Sequence, residues 1–128
     1  GGSGYNETIT STTFRAYHLE DDSGTSLAYN TSDDQAQGTS FQILNQSVGN
    51  DNDQSCSGTL TIFSPSSTVF VKHFISRGNR SHHGDYSIDD LHAGYFNTTS
   101  AIDEISFKFS ADEIQGGSIS LYGITWTT

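Results

Sequence analysis

A chain of 128 residues is one domain by length. A formal net charge of −10 with only five lysines and arginines excludes the basic footprint that nucleic-acid phosphates or an anionic membrane require, while leaving carboxylates for divalent cations. Apolar residues make up 32% of the chain, a share that approaches the globular norm only when the 13 glycines are added, so a thin core filled by 8 Phe and 6 Tyr and supplemented by oligomer contacts is expected.

Residues 1–11 read as a flexible polar leading segment and residues 12–128 as a single β-sandwich domain. No apolar run approaches the roughly 20 residues of a membrane span, and no signal segment is read at the start. Gly1-Gly-Ser-Gly4 reads as a linker scar, a processed end or part of something longer. Residues 12–19 form the first credible strand. A turn follows at 20–24, with Gly24 suited to positive φ, and then a short strand at 25–29.

Residues 30–38 are polar loop, and residues 39–44 read as a strand with Phe41 and Ile43 on one face. A second polar loop spans 45–58. Residues 59–63 alternate, and the turn around Pro65 leads into a strand at 68–76. There Val69, Val71, His73 and Ile75 share one face, and Phe70, Lys72 and Phe74 share the other. Apolar groups on both faces suggest a central strand, covered on one side by a facing sheet and on the other by a loop or a neighbouring subunit. Phe70 and Phe74 are then candidates for a subunit seam.

Residues 77–91, rich in His, Gly and Asp, read as a loop with a helical turn at 88–91, and residues 92–96 approach a closing hairpin. Its first arm, 101–109, puts Ile105, Phe107 and Phe109 on one face and Ser106 and Lys108 on the other. Its second arm, 116–124, sets Ile119 and Leu121 against Ser118, Ser120 and Tyr122. Seven or eight short strands, with no amphipathic helix and no repeat, predict an all-β, antiparallel, jelly-roll-like sandwich.

The ending Ala101-Ile-Asp-Glu-Ile-Ser-Phe107, a short turn, then Gly117-Ser-Ile-Ser-Leu-Tyr-Gly-Ile124 resembles that of a family of tailed-phage virion structural proteins, whose members close with A-I-x-x-I-x-F and G-S-I-S-L-Y-G-I. Upstream, Gly58-Thr-Leu-Thr-Ile-Phe-Ser-Pro65, the strand around Lys72 and Gly94-Tyr-Phe-Asn-Thr-Thr99 are similar to that family's preceding strands, so the likeness covers residues 58–124. The resemblance implies a non-enzymatic β-sandwich on the virion exterior, without a cofactor. It would decorate or cement the outer capsid as a homo-oligomer such as a trimer, with major capsid or tail proteins as partners. One alternative is a receptor- or glycan-binding tip of a tail fibre or spike; another is a secreted calcium-dependent lectin-like domain.

His82, His83, Asp85, Asp89, Asp90 and His92 concentrate ligand types suited to a transition metal, and Asp89 and His92 would share a face in a helix. In an extended chain His82 and His83 diverge, which favours a solvated, subunit-contacting loop whose charge changes near pH 6. Asp51 and Asp53 alternate as at the start of a calcium loop, to be completed by Asp33 and Asp34 or by Asp21 and Asp22, but the glycine and distal glutamate of an EF-hand are missing. No G-x-S-x-G elbow is present. Tyr95, Phe96, Tyr122 and Trp126 are candidates for a sugar-stacking platform or, more plainly, for core and cross-strand packing. Cys56, the single cysteine, cannot form an internal disulfide and is expected to be small and half-buried. Five of seven asparagines (Asn6, Asn30, Asn45, Asn79, Asn97) begin N-x-S/T, which reads as a consequence of a Ser/Thr-rich composition.

Overall fold

The computed structural model describes residues 4–111, 114 and 116–125. It is all-β, with no helix among the described residues: β1 (Ile9–Leu19), β2 (Thr25–Tyr29), β3 (Ala36–Gly38), β4 (Cys56–Ile62), β5 (Lys72–His82) and β6 (Tyr86–Phe96). All six strands pair antiparallel in one sheet of order β2-β1-β6-β5-β4, with β3 beside the start of β1. The centre is the long β5–β6 hairpin, in register from Lys72 opposite Phe96 to His82 opposite Tyr86.

Period-two alternation divides this sheet into two unlike faces. One carries Lys72, Phe74, Ser76, Gly78 and Arg80 of β5, Ile88, Asp90 and His92 of β6, and Ile9 and Thr13 of β1; all of them are buried. The other carries Phe14, Leu27, Tyr29 and Ile75, all exposed. The cover over the first face is irregular chain. Ser11 Oγ donates to Gln42 Oε1 (2.8 Å), His92 is bonded to the Leu44 carbonyl (3.0 Å), Gly49 N donates to Ser81 O (3.0 Å), and Val48 bridges His82. The molecule is sandwich-like, with looped chain as its second layer.

Four expected elements differ. Residues 39–44 form no strand, because the Gln42 amide turns inward to the Asp33 and Ile43 carbonyls and displaces the Phe41–Ile43 alternation. The expected loop at 77–91 is mostly strand, and 88–91 lies in β6 rather than in a helical turn. Only 83–85 turn, in a three-residue hairpin loop that ends on Asp85 at φ 59°, with Asp85 N donating to His82 O. In the β1–β2 turn it is Asp22, at φ 60°, and not Gly24 that takes the left-handed conformation. Neither arm of the closing hairpin is a strand: 101–109 runs along the cover, with Ile102 N on Pro65 O and the Lys108 ammonium 4.2 Å from the centre of the Phe41 ring.

The sheet also starts earlier than expected, since Ile9 is buried opposite Phe96 and residues 9–11 belong to β1. Phe74 packs against Phe96, the rings tilted with centroids 5.3 Å apart, beneath Gly94. A Cβ added at Gly94 would lie 2.5 Å from Thr10 O and 2.9 Å from both Phe74 Cζ and Ser11 Cα, so only glycine lets β1 and the ring approach. Gly94→Ala should lower the unfolding free energy by about 1–3 kcal/mol in urea titration. Gly116→Ala, in open space, should leave it unchanged.

Candidate functional site

The most unusual feature of the covered face is its chemistry. Among the described residues only Ile9, Phe74 and Ile88 are buried apolar side chains, whereas Lys72 and Arg80, at 0% and 1% exposure, are buried as deeply as any. The Lys72 ammonium donates to the carbonyls of Phe70 (3.0 Å) and Thr98 (3.1 Å), tying both ends of the β5–β6 hairpin to the chain outside it.

The Arg80 guanidinium pairs with the Asp90 carboxylate from the neighbouring strand, one row along the sheet. Gly78, the residue directly opposite Asp90, has no side chain, and the space is taken by the Asn45 amide of the cover. Arg15 shares the row with Asp90, and Asp33 approaches from the covering loop. Arg80, Asp90 and Asp33 are buried together, and Arg15, only partly buried, adds a second positive charge nearby. Burial, reinforced by Arg15, lowers the Arg80 pKa to about 10, with Asp33 opposing, so the guanidinium stays charged at neutral pH.

Asp33 is fixed by the Asn30 amide at 2.5 Å and by Ser32 Oγ at 3.3 Å. Thr13 Oγ1 donates to Asn30 O at 2.6 Å, so β1 holds the loop that carries this carboxylate. His92 donates from Nε2 to Leu44 O, and burial pushes its pKa below the ordinary value, against that hydrogen bond and the nearby Asp33. Arg80, Asp90, Asp33 and His92 are sealed from solvent. Together they hold the cover on the sheet.

The other candidates are dispersed. Asp89 points to the open face and holds Arg77 through two bonds (3.0 and 2.7 Å), while His92 lies on the covered face; three residues apart in a strand, they diverge. His82 stacks between His83 and Tyr86, at 4.0 and 4.1 Å, beside Asp85 in the turn. Asp51 and Asp53 lie in a turn closed by Gln54, Asp34 accepts from the Tyr29 hydroxyl, Asp21 caps Ser23 N and Asp22 binds His18. These contacts leave the acidic pairs apart. Among the described residues no group of three or more His, Cys, Asp or Glu is placed to hold a metal ion.

The aromatic platform does not assemble either. Tyr95 packs against His73 on the open face, Phe96 lies with Phe74 on the covered one, and Tyr122 stands alone in solvent. Trp126 lies outside the described residues. Phe74, 2% exposed, belongs to the chain's own core and cannot form a seam with another subunit, while Phe70 is 72% exposed at the end of the sheet. Cys56 is exposed at the start of β4, because that strand is the sheet edge. Asn30 uses its amide inside the protein, on Asp33, and Asn79 uses its on Ser87 and the Ile88 carbonyl at the open face.

Two concavities, of about 370 and 410 Å³, lie around Arg77–Asp89 and around the β1–β2 turn; both are shallow and open. Sequence reasoning missed Arg80, Lys72 and Asp33 as the organising residues, and the one signal for them is the arginine and lysine spaced by even numbers along the same strand. Comparison of the chain with protein-family models, curated proteins and solved structures returned no match.

Two tests address the charged layer. Arg80→Met strands the Asp90 carboxylate and should cost about 3–5 kcal/mol in urea unfolding, whereas Arg80→Met with Asp90→Leu should recover most of that loss. Because the folded pKa of His92 lies below its unfolded value of about 6.5, the unfolded chain binds the proton more tightly. The stability owed to neutral His92 is complete above that pH and drains away as the pH falls through it toward the folded pKa. The urea midpoint should therefore drop between about pH 7.5 and pH 5.5, and His92→Gln should flatten the drop.

Proposed function

We propose that this chain is a non-catalytic structural protein of a tailed-phage particle, acting on the outer capsid surface as a decorating or cementing subunit. One observation carries the reading. The segment that resembles the closing motif of phage virion proteins is also the segment that projects its apolar side chains into solvent: Ile119, Leu121, Tyr122 and Ile124 are 65–88% exposed. A solitary soluble protein gains nothing from such a display, whereas a subunit built to be covered by neighbours does.

Two further features support the same reading. The open sheet face adds Phe14, Leu27, Tyr29 and Ile75 to the apolar surface, and Val69 and Phe70 add more at the end of the sheet. The ionisable groups of the interior are spent on holding the cover, and the exposed ones are spread over both faces and the turns. Net charge of −10 keeps a high-copy surface subunit soluble before it docks.

Immunogold labelling of purified particles from a lysate that expresses the chain tests the assignment. Label distributed over the faces of the shell is the expected result. Label confined to tail tips would transfer the chain to a receptor- or glycan-binding role, and unlabelled particles would remove the virion reading altogether.

A further inference from the structure

Among the described residues the sheet has an unprotected edge, and a segment with a strand's alternation but no partner suits it. Among the described residues β4 pairs with β5 on one side only, so its seven residues, Cys56–Ile62, offer their outer backbone groups to solvent. Edges of this kind are normally blunted by charge, proline or a bulge. β4 carries no charged residue, its register with β5 is unbroken, and Pro65, the one proline of the chain, falls after it. Leu60 and Ile62, which face the covered side, are only partly buried because the cover stops short of the edge.

The opposite edge is a poorer acceptor. β2 has five residues, and Asp21, Asp22, Asp33 and Asp34 flank it. In a molecule of net charge −10, two copies approach most readily where neither contributes a carboxylate.

The segment 117–124 is likewise uncharged. It alternates Ile119 and Leu121 with Ser118 and Ser120, yet it makes no strand, and a Cβ placed on Gly116, Gly117 or Gly123 would meet nothing within 4 Å. Its approach leads away from β4. After Ile102 at Pro65, the chain is held at Glu104 by the Tyr5 hydroxyl (2.7 Å) and at Lys108 over Phe41, whose neighbour Gln42 is bonded to β1, three strands from β4.

We propose that residues 117–124 of one copy add as an antiparallel strand to the β4 edge of a second copy. In the register that satisfies both patterns, Ile119 lies opposite Ile62, Leu121 opposite Leu60 and Gly123 opposite Gly58. The apolar pairs extend the covered layer, and Ser120 and Tyr122 lie beside Thr61 and Thr59 on the open face. Tyr122 and three aliphatic side chains on the arm, together with the edge they cover, bring a reciprocal exchange to roughly the 800 Å² per partner of a stable interface. The inference concerns self-association alone and stands apart from the virion assignment.

The same register sets Thr125 opposite Cys56, at a cross-strand spacing of about 4.5–5.5 Å that a disulfide spans. Two differently tagged full-length Thr125→Cys chains, co-expressed and oxidised with glutathione, should yield a disulfide-linked species carrying both tags, which Cys56→Ser abolishes. Sedimentation equilibrium should show the unmodified protein associating, and Leu121→Asp should weaken that association by roughly 10- to 100-fold or more while leaving the circular dichroism spectrum unchanged. A wild-type chain that remains monomeric at its highest soluble concentration overturns the proposal. So does a disulfide formed only within one chain, which would mean that the arm folds onto its own edge, or an oligomer indifferent to Leu121→Asp.

Discussion

The pairing of Arg80 with Asp90 beneath the covering loop is the constraint from which the rest of this structure follows. A buried guanidinium and carboxylate are tolerable only if each has the other and if the surrounding groups are fixed, so residues 30–54 must close over the sheet in one particular way. Asp33 enters the same layer from that loop, held by Asn30 and Ser32, and Thr13 of β1 anchors Asn30 in turn. Polar side chains thus do the positioning that interdigitated aliphatic side chains do in most sandwiches. Gly78 and Gly94 make the arrangement possible by removing side chains where Asn45 and Phe74 must lie.

This division of labour explains where the apolar residues went. Among the described residues three are buried, and many of the remainder, from Phe14 and Ile75 on the open face to Leu121 and Tyr122 on the arm, lie at the surface. Because the hydrophobic effect is indifferent to which surface removes water, apolar side chains left outside one subunit remain available to stabilise contact with another. An interior held by paired charges and an exterior rich in uncovered apolar groups are two consequences of the same allocation. The β4 edge and the 117–124 arm are the places where that exterior is most specific.

The sequence was legible where a short strand-forming run lies between clear turn signals. β2 is found where the short strand after the turn at 20–24 is expected, and β4 and the start of β5 lie within a few residues of their expected places. Reading failed from Arg77 to Leu91, where Arg80 and Asp90 face inward and Ser81, Ser87 and Asp89 face outward, so both sides of a strand are polar and periodicity vanishes. The opposite failure occurred at the C-terminus. There the alternation of residues 117–124 is clear, but local pattern reports only that a segment can pair, and its partner is not supplied by its own chain. The metal and sugar candidates were proximity in sequence without proximity in space: a strand sends neighbours such as Asp89 and His92, or Tyr95 and Phe96, to opposite faces.

The side-chain Nε–H of Arg80 reports on the central claim most directly. In a nitrogen-edited NMR spectrum of the protein at neutral pH, a buried and paired guanidinium gives an Nε–H signal that exchanges slowly with solvent, in contrast to that of Arg77, which holds Asp89 on the open face. Slow exchange at Arg80 with fast exchange at Arg77 is the result this account predicts. Exchange at Arg80 as rapid as at Arg77 would mean that solvent reaches the charged layer, and that the cover is not held by buried charge.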